Sequence, residues 1–232
     1  MRASRVIWTR ALTLPPQEPP ELPQPEPTNE PRARRSHSER REEAERRILS
    51  AAVQIVAERG LQDLTLAECG QAAGYSRGLA AHYFGSREEL IGSIARYIVG
   101  EYGRRRTNVR QPASPPGLED LLNRVSFYII NSRDSPSHTR AFHAVLGAAF
   151  KQAPLAAAIA DLNRNSIAGW ARPIREGIEA GEIRADVDAT LQAALILATV
   201  RGVVRQWLLD PAVDLELIRN ELVGNLRRSL AR

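Results

Sequence analysis

A chain of 232 residues with 43% hydrophobic content is long enough for one small and one medium domain, or a single larger one, with a substantial core. A net charge of +5 and a pI near 10.0 favour a polyanionic partner only weakly, because nearly all the positive charge is arginine, with Lys151 the only lysine, and genome composition produces the same bias. One cysteine excludes an intramolecular disulfide and suits a reducing compartment, the cytoplasm; the longest run without charge, Ala189 to Val200, is too short to span a membrane, and no export signal is evident.

Residues 1–36 hold eight prolines between Pro15 and Pro31 among Glu and Gln, which stops helix propagation and leaves little apolar surface to bury, so a disordered extension is expected. It ends in Arg32, Arg34 and Arg35. Two readings stay open: a solvated tail (or a start codon placed too early), and a flexible arm that reaches a DNA groove. From Glu39 to Arg59, Ile48, Ala52, Ile55 and Val56 recur at helical spacing and Gly60 supplies the stop, which predicts an amphipathic helix. Arg40, Arg41, Arg46 and Arg47 in its first turns either brace a solvated face through pairs with Glu42 and Glu43 or contact phosphates.

The stretch Thr65 to Leu90 reads as two short helices, a tight turn and the start of a third. Thr65 and Glu68 form a capping box, so a helix begins near Leu66; Gly74 allows the positive φ of a sharp turn; Ser76 can cap a second helix, Arg77 to about Tyr83; and Ser86 with Glu89 forms a further capping box. Two helices joined this way present one of them to the DNA major groove. Leu90, Ile91, Ile94 and Ile98 make the buried stripe of the following helix, and three helices are expected to close one small core. Arg104, Arg105 and Arg106 are placed after that helix.

With Thr65, Ala73, Gly74, Ser76, Gly78, His82, Tyr83, Phe84, Ser86, Arg87, Glu88 and Leu90 standing in this order, the chain resembles the DNA-binding domain of the tetracycline-repressor (TetR) family of bacterial regulators. The resemblance covers residues 39 to 98. Three positions depart from the family pattern: Cys69 stands for a usual Ile, Leu79 for a common Thr, and Ala81 for a common Tyr that helps to hold the phosphate backbone. The resemblance implies a homodimer that binds a palindromic operator in double-stranded DNA and is released by a small-molecule effector.

Helical geometry assigns the DNA-binding residues. Arg77 can pair bidentately with guanine, Gly78 lets the backbone approach closely, and Leu79 can press on a thymine methyl. Thr65, Ser76, His82, Tyr83 and Arg87, with Arg40 and Arg41, suit phosphates; alternatively the Tyr83 ring is core and only its hydroxyl is free.

After the PASPPG segment, residues 112 to 117, all remaining elements read as helices: Leu118 to Ile130, Ser137 to about Phe150, one from Pro154 towards Gly181 with Pro173 as a kink, one capped by Asp188, and a last one capped by Asp214. The Asp188 and Asp214 helices carry more than one apolar stripe, which suggests a four-helix interface between two copies; the alternative is burial within a monomer. The architecture is therefore all-α: extension 1–36, a three-helix helix-turn-helix domain 37–103, and a helical effector-binding and dimerisation domain 104–232.

No catalytic or metal-ligand constellation is present, and no cofactor is called for. Within the second domain Phe127, Phe142, Leu146 and Trp170 are possible walls of an effector pocket, and His143, on an apolar face, is either a satisfied core histidine or a hydrogen-bond partner for a ligand. Cys69 reads as packing. The reading reached is a ligand-responsive repressor; the alternative is a constitutive DNA-binding regulator with no effector, for which the mark would be a closed apolar interior lacking any cavity.

Overall fold

The structure is a computed structural model that describes residues 36–108 and 115–232; the Pro-rich extension and its Arg32, Arg34 and Arg35 lie outside the described residues, as does the first half of the PASPPG segment. Nine α-helices make up the described part: α1 His37–Arg59, α2 Leu66–Ala72, α3 Arg77–Phe84, α4 Arg87–Asn108, α5 Leu118–Asp134, α6 Pro136–Ala149, α7 Ala153–Glu179, α8 Ala189–Leu209 and α9 Leu215–Leu230. The one β-type pairing among them is an isolated bridge between Ile183 and Ala231. The all-α expectation holds.

The starts and stops follow local chemistry, with several differences from expectation. A full capping box stands at Ser36, whose N–H donates to Glu39 Oε2 (2.7 Å) while Glu39 N–H donates to Ser36 Oγ (3.1 Å). At Thr65 only one arm of the expected box forms: Glu68 N–H donates to Thr65 Oγ1 at 3.2 Å, but the Glu68 carboxylate is drawn to Arg59 on α1 instead. At Ser86 likewise one arm of the box forms, Glu89 N–H donating to Ser86 Oγ (3.1 Å). Ser76 stands at the start of α3 in extended conformation but makes no side-chain cap. Asp188 and Asp214 cap α8 and α9 as expected, each accepting two backbone N–H bonds. Gly74 has φ of 81°, as the turn between α2 and α3 requires.

α4 is longer than the sequence suggests. It runs to Asn108, so Arg104, Arg105 and Arg106 lie on its last turns rather than beyond it, each held by a partner: Arg104 by Glu101 on the same helix, Arg106 by Asp120 of α5, and Arg105 by Ser135 before α6. Asp120 also accepts from Arg124 (2.7 and 2.9 Å), whose Nη1 reaches the Gly169 carbonyl of α7 at 3.2 Å.

Two apolar clusters form. The first gathers Ile48, Val53 and Val56 of α1, Cys69 of α2, Ala80 and Phe84 of α3, and Leu90, Ile91 and Ile94 of α4. It is not closed by the N-terminal helices alone: Ala141, Phe142, Val145 and Ala149 of α6 and Leu155 and Ile159 of α7 belong to it as well. Each fully buried Leu or Ile contributes about 1.5–3 kcal/mol, so the added helices brace the helix-turn-helix. Cys69 lies in this core with its thiol pushed up to about 11 by burial, which makes it packing and not a nucleophile. The second cluster joins Leu121, Leu122, Val125 and Ile129 of α5, Trp170 and Ile174 of α7, Ile196, Leu197 and Val200 of α8, and Leu226 and Leu230 of α9.

α8 and α9 bury only one face in a single chain. Of five large apolar side chains left in solvent among the described residues, four are on these helices: Leu191 (60% exposed), Leu195 (55%), Leu209 (74%) and Leu217 (66%). Leu191, Leu195, Ala198, Gly202, Arg205 and Leu209 fall on one line of α8 at alternating spacings of four and three, the seam of a helix that packs on another.

Candidate functional site

The short α2–α3 unit is held by backbone contact as much as by side chains. Tyr75 N–H donates to the Gly70 carbonyl (2.9 Å), and the Gly70 Cα sits so close to α3 that a Cβ there would stand 2.7 Å from the Ser76 carbonyl oxygen. Ala80 and Phe84 face inward, which leaves Arg77, Gly78, Ala81 and His82 exposed on the outer side of α3, with Thr65 and Ser76 beside them. Arg77 makes no ion pair or hydrogen bond with any described residue, so its guanidinium is available to a partner. Nothing lies within 4 Å of a Cβ built on Gly78, as expected of a backbone open to close approach.

Other expected DNA contacts are placed differently. Leu79 and Tyr83 are half-buried and pack against the first core. Arg41 of α1 pairs with Glu45 at 2.8 Å and sits 5.5 Å from the Tyr83 ring centroid, which brings the start of α1 beside α3. Arg40 is exposed on the same turn. Arg87 corrects the phosphate expectation: its Nε donates to the Leu64 carbonyl at 2.9 Å and its Nη2 to the Leu61 carbonyl, so it clamps the α1–α2 connection.

Behind the helix-turn-helix, α4, α5, α6, α7 and α8 enclose a cavity of about 80 Å3, walled by apolar Ile98, Val99, Tyr102, Tyr128, Phe142, Trp170 and Leu197 and by polar Arg105, Asn131, His138, Thr139, His143, Ser166 and Arg201. A more open groove of about 430 Å3 adjoins it between α6, α7 and α8. Phe142, His143 and Trp170, expected as pocket walls, line the cavity; Leu146 lines the groove. Phe127 lines neither, its ring lying 5.3 Å from that of Tyr102.

The electrostatics of the cavity are one-sided. Burial, then Arg201 and Arg205, push the His143 imidazole down to about 4, so it is neutral at physiological pH. Burial and then Arg105 also lower His138, which stacks on Tyr97 with Nε2 3.5 Å from Arg105 Nη2. The Tyr102 and Tyr128 hydroxyls are raised by desolvation and stay protonated. Glu101, the one carboxylate on the cavity wall among the described residues, is paired with Arg104.

Arg105, Tyr128, His138 and Arg201 were not expected from the sequence. Arg201 carried a signal, as the only charged residue between Asp188 and Arg205 in the most apolar helix. The other three carried none, because their convergence depends on helices far apart in the chain. Among the described residues no group of three or more His, Cys, Asp or Glu side chains could hold a metal ion, and no helix is long and apolar enough to cross a membrane.

Known proteins share these parts. Residues 48–94 match the family described as bacterial regulatory proteins, tetR family, and residues 118–222 match the tetracyclin repressor-like C-terminal domain. The chain is 35% identical over 71 residues to the HTH-type transcriptional regulator BetI of Brucella canis, a match that covers 31% of this chain and only 36% of that relative. It is 27% identical over 164 residues to the HTH-type transcriptional repressor KstR2 of Mycobacterium tuberculosis, covering 69% and 79% of the two chains. In fold it resembles the crystal structure of a TetR-family regulator from Rhodococcus sp. with a TM-score of 0.74 at 22% identity, over 82% of this chain and all of that one. Two matched domains that together span more than half of the chain, on an all-α fold with a helix-turn-helix at α2–α3, show that this chain belongs to the TetR family of bacterial regulators.

Proposed function

We propose that the protein is a homodimeric transcriptional repressor, which binds a palindromic operator through α3 and is released by a small molecule held between α4 and α8. The observation that carries this reading is the continuity of α4. Its first half, Leu90, Ile91 and Ile94, is core of the helix-turn-helix, while Ile98, Val99, Glu101, Tyr102 and Arg105 on the same helix line the cavity. A ligand that shifts the cavity half therefore acts on the seat of α3 through one rigid element. In this reading residues 37–103 meet DNA, residues 104–232 hold effector and partner copy, and Ile98 to Tyr102 of α4 reach from the first unit into the cavity wall. The exposed seam of α8 with Leu217 of α9 pairs with its own copy about a twofold axis, which sets the two α3 helices about 34–36 Å apart, one turn of DNA. An effector that favours another spacing weakens binding by the difference in its affinity for the two states.

The names of the two relatives, one a regulator and one a repressor, support DNA-linked regulation. The cavity favours an effector over the constitutive alternative, for which a closed apolar interior was the mark. The test is selection of bound sequences from random DNA, followed by a small-molecule screen for release from the selected operator. Recovery of a palindrome with half-sites one helical turn apart is expected; selection that yields no common sequence overturns the reading.

A further inference from the structure

Arg201 stands in the middle of α8 with only neutral partners. Nη1 donates to Asn163 Oδ1 at 2.7 Å, the guanidinium lies near the Tyr128 hydroxyl, and the Phe142 ring centroid lies 5.3 Å from Cζ. No carboxylate among the described residues pairs with it, and its Nε is buried without a partner. One helix away, Nε2 of His143 is also buried without a partner. Arg201 is half-buried, and a guanidinium with its Nε hidden from water and no counter-charge costs free energy, to which an orphaned imidazole nitrogen beside it adds.

Both residues stand on the wall common to the cavity and the groove. Apart from Asn163 and Arg205 the rest of the groove is apolar, with Leu146, Phe150 and Ile159 along its sides, and among the described residues no acidic side chain lines it. At about 430 Å3 the groove falls in the size range of small-molecule sites, and it adjoins the inner cavity of about 80 Å3 that reaches α4.

We propose that this common wall is an oxyanion receptor, and that the effector is an amphipathic anion whose head bridges Arg201 and His143 while its apolar body lies along Leu146 and Ile159 in the groove. The proposal rests on the effector reading above and names the class of molecule it takes. Arg201 Nε–H donates to one head oxygen, and His143 donates to another in its Nε2–H tautomer. Its surroundings keep it uncharged, so it orients the head rather than competing with Arg201 for it. Arg205 adds positive potential that draws an anion to the groove. A carboxylate and a phosphate share the required chemistry.

The test is calorimetric titration of the full-length protein with decanoate, decyl phosphate, decanol and decyltrimethylammonium, with melting temperatures recorded in parallel. At least one of the two anions should bind about tenfold or more tightly than decanol, as a charge-assisted bond would give, and the stronger of the two identifies the head. The cation should bind weakest. In Arg201→Gln the anion preference should vanish while decanol binding stays, and the ligand-free melting temperature should rise, because a half-buried charge with no carboxylate partner is gone. His143→Leu should weaken the anions alone by several-fold. Anions no tighter than decanol, no binding of either anion, equal anion affinity in wild type and Arg201→Gln, or a lower melting temperature for ligand-free Arg201→Gln would each overturn the proposal. A neutral or cationic compound that binds and releases operator DNA would leave the effector reading standing without the anion site; an anion that binds at Arg201 without releasing DNA would do the reverse.

Discussion

Replacing Gly70 by alanine tests how α3 is seated. The added Cβ would lie 2.7 Å from the Ser76 carbonyl oxygen, 3.6 Å from its carbon and 3.7 Å from Ala80 Cβ. That carbonyl accepts from Leu79 N–H at 3.2 Å at the first turn of α3, while the Gly70 carbonyl accepts from Tyr75 N–H at 2.9 Å, so neither strand of backbone can give way without opening the turn. Overpacking of this kind costs about 1–3 kcal/mol, and a contact with backbone belongs at the upper end. Alanine regains about 1 kcal/mol of helix preference over glycine. The net loss is about 2 kcal/mol, a fall in melting temperature of about 4–8 °C for a unit of this size. Operator affinity should fall too, because α3 is displaced. Gly78→Ala is the control: nothing lies within 4 Å of its Cβ, so it should gain about 0.5–1 kcal/mol in the helix and still weaken DNA binding by keeping the backbone off the groove. The assays are thermal denaturation and operator titration of both variants. A Gly70→Ala protein that melts and binds like wild type would refute the reasoning, as would a Gly78→Ala protein that melts lower.

Arg77→Ala should cost about 1–3 kcal/mol on the preferred site and relax sequence preference, measured by competition between operator and random DNA; equal losses on both would reduce Arg77 to a phosphate contact. Arg87→Ala leaves the Leu64 carbonyl without a donor and the Leu61 carbonyl with Leu64 N–H alone, and should destabilise by about 1–3 kcal/mol while the slope of log K against log salt is unchanged; a slope smaller by about 0.9 with unaltered melting would restore the phosphate role. Leu195→Asp with Leu217→Asp puts carboxylates on the exposed α8–α9 face, where a lone chain tolerates them, so a folded monomer with lost operator binding is expected by sedimentation; an unchanged dimer would move the interface elsewhere. His143 has a folded value near 4 against an ordinary 6.5, so its share of stability is complete above pH 6.5 and is lost as pH falls towards 4. Allowing for its partial exposure, wild type should lose about 1–3 kcal/mol more than His143→Gln over that window in denaturant titrations, and parallel curves for the two proteins would contradict it.

Much was legible in the sequence because it depends on neighbours along the chain. Helix periodicity in α1, the caps at Asp188 and Asp214, the turn at Gly74 and the outward set Arg77, Gly78 and His82 all follow from spacing within a few residues, where backbone geometry leaves little choice. The two-sided apolar character of α8 announced a second surface, and the exposed Leu191, Leu195 and Leu209 carry it. Side chains long enough to choose among several partners were not legible. Glu68 left its expected box for Arg59, Arg87 turned from solvent to two carbonyls, and Phe127 packed on Tyr102 away from the cavity. The extra helices that close the first core, and the placing of an unpaired Arg201 beside an unpaired His143, join residues tens of positions apart. Local spacing thus determines where helices begin, end and turn their apolar faces; which of those faces meet, and which charges are left without partners when they do, is decided only by the packing of the whole chain, because desolvation and pairing depend on neighbours that the linear order does not contain.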